Sequence, residues 1–132
     1  MNKLSSKNRR NSQKLIKKRI VSESTDNLPP LFSFQYTVKG FDLSACDLHC
    51  AKKVIDLIDK FSKVSWRDSK STQRHGIGFE KISDLKKDIP EEFEGRTILS
   101  CSLSEIMRFL GFREQQIFYV LWIDKTGEIY RH

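Results

Sequence analysis

The chain of 132 residues lacks several features that would assign it to a specialised protein class. It contains no apolar run near the roughly 20 residues that span a bilayer, so we expect no membrane-spanning helix. The basic first ten residues are followed by polar sequence and not by the apolar segment of a secretory signal, which predicts a cytoplasmic protein. Internal repeats and low-complexity segments are also lacking. These absences favour a small globular protein.

Cysteine is scarce, with Cys46, Cys50 and Cys101 as the only three. An odd count without C-x-x-C pairs fits a reducing compartment and argues against a structural zinc site. Cys46 and Cys50 lie four residues apart in a predicted helix, beside His49, and could in principle hold a metal together. Buried free cysteines are common in protein cores, however. We therefore interpret them as core residues and predict neither a metal nor a cofactor.

Positive charge is concentrated at the N-terminus. Residues 1–30 contain eight Lys or Arg and two acidic residues, a net charge of +6, whereas the whole chain carries +7. We predict a basic arm and linker over residues 1–30 and one domain over residues 31–132. A cationic arm attracts phosphate backbones without reading sequence, and the alternative is a disordered solubilising tail. The arm residues predicted to bind RNA are Arg9, Arg10, Lys14, Lys17, Lys18 and Arg19.

Hydrophobic periodicity predicts the elements of the domain. After Leu28-Pro29-Pro30, alternation from Phe32 to Val38 predicts a strand. Apolar residues at helical spacing predict a helix over about 45–66, capped by Asp42 or Ser44. Further strands are predicted over residues 79–82, 97–103, 109–112 and 117–123, and an edge strand over 128–132 follows a turn at 124–127. The unbroken apolar run over 117–123 fits a strand buried on both faces, and a helix is its alternative. This order predicts an α+β fold with one main helix packed on a mostly antiparallel sheet.

Few residues are suited to catalysis. His75 lies in a glycine-bearing stretch that runs from Arg74 to Lys81 and includes Glu80, and His132 is the last residue. The motifs G-x-S-x-G and H-E-x-x-H are missing, and the two glycines near His75 lack the third glycine of a phosphate loop. A charged glycine loop and a terminal histidine are, on their own, more often simply exposed. The stretch therefore becomes a candidate site only in combination with other residues.

Cleavage of RNA by its own 2′-hydroxyl requires a base, an acid and cations that stabilise the phosphorane, and it requires no metal. Histidine and glutamate suit the first two roles near neutral pH, and the guanidinium of arginine suits the third. The residues of these types are Glu80, His75, His132, Arg74, Arg108 and Arg113.

Three consecutive stretches, over residues 108–113, 117–124 and 127–132, resemble the arginine-bearing strand, the apolar strand and the closing strand of RelE/YoeB-type ribonuclease toxins from bacterial toxin–antitoxin pairs. The resemblance implies a RelE-like twisted sheet, cleavage of mRNA on the ribosome and inhibition by a cognate antitoxin protein. It also implies that Arg113 or Arg108 contacts the scissile phosphate and that His132 and Tyr130 act near the leaving group. Glu80 is then the candidate base. The family has two helices before its sheet, whereas this sequence predicts one.

The leading prediction is therefore an endoribonuclease toxin. Its expected catalytic residues are His132, Arg113, Glu80, His75, Tyr130 and Arg108, and Arg74 and Lys81 are expected to bind RNA beside the arm. The alternative is a non-catalytic RNA-binding or protein-binding module from a mobile element. The two differ in geometry, because an enzyme must gather Arg113, His132 and Glu80 or His75 around one concave surface.

Overall fold

The computed structural model describes residues 24–70 and 78–130. Its single sheet has the strand order β1-β5-β4-β3-β2, and two helices connect β1 to β2. The elements are β1 (Leu31–Ser33), α1 (Leu48–Phe61), α2 (Trp66–Ser69), β2 (Phe79–Ile82), β3 (Ile98–Ser102), β4 (Arg108–Glu114) and β5 (Ile117–Asp124). β1 is parallel to β5, and the other three pairings are antiparallel. The predicted α+β fold with one main helix and a mostly antiparallel sheet is confirmed.

A hydrophobic core lies on each face of this sheet. On the face that we call the helix face, Val54 and Phe61 of α1 belong to one core with Phe109 and Phe118 of the sheet. On the opposite face, here the loop face, residues from the loops 36–41, 83–93 and 125–130 pack against the sheet. Side chains of β4 and β5 enter both cores. The long apolar run of β5 is thereby explained, because a strand buried on both faces needs apolar residues at successive positions.

One residue of β5 interrupts the regular pairing with β4. Leu110 pairs with Trp122, and Gly111 pairs with Val120, so Leu121 forms a β-bulge. Leu121 and Trp122 consequently both enter the loop-face core, although they are neighbours in sequence. Beside the bulge the backbones come close: a Cβ atom at Gly111 would lie 1.9 Å from a carbonyl oxygen of β5. Glycine is therefore required at position 111, because the Cβ of any other residue would collide with the backbone of β5.

α1 is shorter than the helix predicted over residues 45–66. Its cap is Asp47, whose carboxylate accepts a hydrogen bond from the backbone amide of Cys50 at 2.8 Å. The predicted caps Asp42 and Ser44 belong instead to a separate turn of 3₁₀ helix, over residues 43–45, before α1. The helix ends at Phe61, and α2, a second helix of only four residues, follows it.

The strand predicted from Phe32 to Val38 forms only within β1. Phe32 and Phe34 pack against the helix-face core, but Tyr36 and Val38 pack against the loop-face core. The chain therefore crosses from one face of the sheet to the other after Phe34. The alternating apolar residues of this segment therefore belong to two different cores, and they do not form one face of a single long strand.

The predicted edge strand is not formed in its described part, residues 128–130. The carboxylate of Asp124, which is fully buried, accepts hydrogen bonds at 3.0–3.1 Å from four backbone amides. The donors are Gly127, Glu128, Ile129 and Tyr130. Because these amides bond to a side chain, they are not available to pair with a strand. The segment instead folds onto the loop face, where Ile129 is fully buried.

Residues 24–30, which we predicted to be arm and linker, contact the folded domain. The carbonyl oxygen of Leu28 accepts a hydrogen bond from the backbone amide of Trp66 at 2.8 Å. The carbonyl oxygen of Pro29 accepts one from the side chain of Gln116 at 2.9 Å. Contacts with the domain therefore begin before residue 31, where the sequence predicts the domain to start. No helix within the described residues is long and apolar enough to cross a membrane.

Candidate functional site

The described residues contain four of the six predicted catalytic residues: Glu80, Arg108, Arg113 and Tyr130. His75 and His132 lie outside the described residues. The same is true of most of the predicted RNA-binding residues, namely Arg9, Arg10, Lys14, Lys17, Lys18, Arg19 and Arg74, whereas Lys81 is described. The geometry of the site can therefore be built from Glu80, Lys81, Arg108, Arg113 and Tyr130.

Three predicted catalytic residues meet on the loop face. The guanidinium of Arg108, at the start of β4, lies 3.7 Å from a carboxylate oxygen of Glu80 on β2. It also donates hydrogen bonds of 3.2 Å to the hydroxyls of Ser100 and Ser102 on β3. The ring of Tyr130 lies 5.5 Å from the guanidinium carbon. We call these five residues the polar cluster.

Exposure differs sharply within the polar cluster. The side chain of Arg108 is 7% exposed, whereas that of Glu80 is 34% exposed. A molecule approaching the polar cluster would therefore reach Glu80 more readily than Arg108. Buried arginine is costly unless its donors are satisfied, and here a carboxylate, two hydroxyls and an aromatic ring surround it. The polar cluster can thus present a carboxylate at the surface with a positive charge directly behind it.

Tyr130 reaches the polar cluster because of Asp124. The four hydrogen bonds to the Asp124 carboxylate bend the chain after β5 and end at the backbone amide of Tyr130 itself. Arg108 and Asp124 are cross-strand partners in the β4–β5 register. The turn at the end of β5 therefore brings a residue from the chain's final segment back to the first residue of β4.

Arg113, by contrast, lies on the helix face. It is five residues after Arg108 in a regular strand, so the two side chains leave the sheet on opposite faces. Its guanidinium carbon lies 4.3 Å from the ring of Trp66 in the helix-face core. The guanidinium also donates to the carboxylate of Asp26 at 2.8 Å and to the hydroxyl of Thr25 at 2.9 Å. The expected convergence of Arg113 with Glu80 is therefore not found.

A cavity of about 290 Å³ opens beside Arg113 on the helix face. We call it the cationic pocket, because all three of the charged residues that line it are positive. Its lining consists of Lys70, Lys81, Arg113, Thr97, Leu99, Phe79 and Trp66. Lys81, which was predicted to bind RNA, thus lies beside Arg113, while its sequence neighbour Glu80 faces the other side of the sheet.

Several residues at these sites were not selected from the sequence. Ser100 and Ser102 alternate with the apolar positions Leu99 and Cys101, and this period of two was a usable signal for a polar side of β3. Lys70, which lines the cationic pocket, and Asp26, which pairs with Arg113, carried no local signal, because only the tertiary structure brings them there. Among the described residues, no group of three His, Cys, Asp or Glu side chains is arranged to hold a metal ion.

Comparison with known proteins returned no significant match to a family model, a curated protein or a solved structure. The polar cluster and the cationic pocket must therefore carry the functional argument through their own chemistry.

Proposed function

We propose that the chain is an endoribonuclease of the toxin type, which cleaves mRNA by metal-independent transesterification. The observation that carries this proposal is the polar cluster, in which Glu80, Arg108 and Tyr130 come together from three separate segments. These are three of the six residues that the sequence predicts to be catalytic, and His132 follows Tyr130 by two residues in the sequence. The proposed centre is thus the polar cluster, without Arg113.

Each residue type has a defined role in the proposed reaction. Glu80 takes the proton of the ribose 2′-hydroxyl, and the resulting 2′-oxygen attacks the adjacent phosphorus. Arg108 stabilises the negative charge of the phosphorane. The bond from phosphorus to the 5′-oxygen then breaks, and His132 gives a proton to that oxygen. The products are one RNA that ends in a 2′,3′-cyclic phosphate and another that begins with a 5′-hydroxyl.

The partners in this proposal follow from the resemblance. The substrate is mRNA, bound on the ribosome, and a cognate antitoxin protein inhibits the enzyme. The partial exposure of Glu80 supports a role at the surface that contacts substrate.

The test is induction of the full chain in growing bacteria, with mapping of RNA 5′ ends. The wild-type chain should slow growth and generate new 5′-hydroxyl ends in mRNA. Glu80→Gln and His132→Ala should reduce the yield of those ends by about a hundredfold or more, since each removes a proton-transfer group. Equal protein levels, checked by immunoblot, are required for the comparison.

Glu114→Gln is the matched control, because Glu114 also pairs with an arginine, Arg96, at 3.3 Å but lies outside the polar cluster. It should generate the same ends as the wild-type chain. Growth at the uninduced rate and no new 5′ ends with the wild-type chain would remove the endoribonuclease proposal. If Glu80→Gln produced as many new 5′ ends as the wild-type chain, the polar cluster would be rejected as the catalytic centre.

A second candidate function is RNA binding without cleavage. It is favoured by the burial of Arg108 and by the location of Arg113 on the opposite face from Glu80. In this case the polar cluster stabilises the fold, and the basic arm supplies the contact with RNA. Full-length chain that binds RNA in vitro but produces no new ends in cells would support this candidate over the enzyme.

A further inference from the structure

The cationic pocket lies apart from the proposed catalytic centre, on the opposite face of the sheet. Lys70 and Lys81 are both exposed, and they reach the pocket from two different segments. Lys70 is positioned by a backbone bridge to Phe79, and Lys81 follows Phe79 by two residues in β2. The backbone positions of both lysines are therefore fixed by strand pairing.

One of the three cations that line the pocket, Arg113, already pairs with a carboxylate of the same chain, that of Asp26. The Asp26 carboxylate accepts a hydrogen bond of 2.8 Å from the guanidinium of Arg113. That hydrogen bond, together with the positive charges of Arg113 and Lys70, lowers the pKa of Asp26 below its ordinary value. Arg113, Lys70 and Asp26 are thus electrostatically coupled, and the coupling shows that this place favours negative charge.

The apolar lining restricts what the anion can be. Trp66 is 1% exposed and Phe79 is 4% exposed, so neither ring offers a free face on which a nucleobase could stack. The other polar residues that line the pocket, besides Arg113, are Lys70, Lys81 and Thr97, and all three are exposed. These groups suit a tetrahedral oxyanion, which accepts several charge-assisted hydrogen bonds at once.

The chain itself connects the pocket to the basic arm. Thr25 and Asp26 contact Arg113, and the eight Lys and Arg residues of the arm precede them directly in the sequence. An anionic polymer held by the arm would therefore be close to the cationic pocket. A single small anion would gain nothing from this arrangement.

We propose that the cationic pocket binds a backbone phosphate of single-stranded RNA and that Asp26 competes with this phosphate for Arg113. The choice of RNA as the ligand rests on the proposed function, whereas the choice of a phosphate rests on the pocket. The site reads no sequence, because it contacts the backbone and not the bases. Asp26 thereby lowers the affinity of the protein for RNA.

The test measures binding of the full chain to a fluorescent 2′-O-methyl oligouridylate by anisotropy, from about 50 to 200 mM salt. This probe keeps every phosphate but cannot undergo transesterification, so the result does not depend on whether the protein cleaves RNA. Lys81→Gln should lower affinity several-fold and reduce the slope of log affinity against log salt by about 0.7, the value for one phosphate contact in a single strand. Asp26→Asn should raise affinity several-fold.

Arg96→Gln is the matched control. Arg96 also pairs with a carboxylate, that of Glu114, and also lies over an aromatic ring, that of Phe112, but it contributes to the loop face. Its replacement should leave affinity nearly unchanged. If Arg96→Gln and Lys81→Gln lowered the affinity for RNA equally, the effect would be explained by net charge alone, and the proposal would be overturned. A wild-type salt slope in Lys81→Gln would also overturn it, and unchanged affinity in Asp26→Asn would remove the competition.

Thermal unfolding of Lys81→Gln checks that the fold is kept, and Lys70→Gln provides a second variant at an exposed position. The two proposals fail separately. Weaker binding in the lysine variants without RNA cleavage in cells would retain the pocket and reject the endoribonuclease. If the wild-type chain cleaved RNA in cells and both lysine variants bound the probe as the wild type does, the endoribonuclease would be retained and the pocket rejected.

Discussion

Arg108 and Asp124 are the two charged side chains that are buried among the described residues, and they are direct cross-strand neighbours. Opposite charges at such positions commonly pair with each other. Here the Asp124 oxygens accept hydrogen bonds from the backbone of the turn after β5, while the guanidinium of Arg108 lies beside Glu80. This division of partners places a carboxylate of β2 in the polar cluster. A direct Arg108–Asp124 pair would have left Glu80 without a cation.

Cys101 gives a prediction about alkaline pH. Burial raises the pKa of its thiol from 9.0 to about 12. Above pH 9 the unfolded chain loses this proton while the folded chain keeps it, so rising pH favours unfolding. The free energy of unfolding should fall by about 1.4 kcal/mol per pH unit above pH 9 from this thiol alone.

Urea unfolding of the wild-type chain and Cys101→Ala at a series of pH values tests this. Lysines and tyrosines also titrate at alkaline pH, but they are common to both proteins and cancel in the difference. The stability difference should be constant below pH 8 and should change in favour of the variant above pH 9. A difference that stays constant up to pH 11 would contradict the assigned burial.

At the scale of elements, the β4–β5 pair depends on a glycine. At Gly111 an added Cβ would lie 1.9 Å from the carbonyl oxygen of Tyr119, so Gly111→Ala must displace one strand relative to the other. We expect a loss of at least about 2 kcal/mol in the free energy of unfolding, as for overpacked cores. Chemical denaturation followed by circular dichroism measures it.

Gly95→Ala is the comparison, because Gly95 has open space around it but a φ of +85°. Its cost should be about 1 kcal/mol, which is the conformational penalty alone. Equal stability losses in the two variants would show that the close approach at the bulge is relieved without cost.

The elements were largely predictable from local pattern, and the errors have physical causes. The strand near residues 98–102 was identified by its alternating apolar residues, and the strand near residues 117–124 by an unbroken apolar run of strand length. The β-bulge at Leu121 was hidden, because an unbroken apolar run looks the same with or without an extra residue. The edge strand after Gly127 was mispredicted because a buried carboxylate, Asp124, binds the amides that a strand would need.

The candidate site was predictable in residue type but not in grouping. Glu80 and Arg108 were selected as a base and a phosphate ligand, and the fold brings them together. Arg113 was assigned to the same centre, although its odd spacing from Arg108 in one strand already favours the opposite face. Asp26 and Lys70 required the tertiary structure, since no sequence spacing relates them to Arg113.

At the scale of the whole molecule, the division between arm and domain gives a further prediction. Removal of residues 1–23 takes away all eight basic residues of the arm but keeps Thr25 and Asp26 on Arg113. The shortened chain should fold normally, bind single-stranded RNA more weakly and show a flatter salt dependence. Anisotropy with the uncleavable oligouridylate and thermal unfolding measure the two properties.

A full-length chain with Lys14, Lys17 and Lys18 changed to Gln serves as the control for arm length. It should fall between the wild-type and the shortened chain in affinity. RNA binding by the shortened chain that matches wild type at every salt concentration would exclude the arm from the interface. A cut after residue 27 is less informative, because it would also remove Asp26, the partner of Arg113.

The pairing of β1 with β5 has a consequence for synthesis. Among the described strands, β1 is the first to leave the ribosome, and the strand that pairs with it, β5, is the last. At about 5–20 residues per second, the intervening chain takes on the order of seconds to make. During that time Asp26 has no Arg113 to bind, and β1 lacks the strand with which it pairs in the folded sheet. The nascent segment that contains Asp26 and β1 is therefore open to other binding partners until β5 has been synthesised.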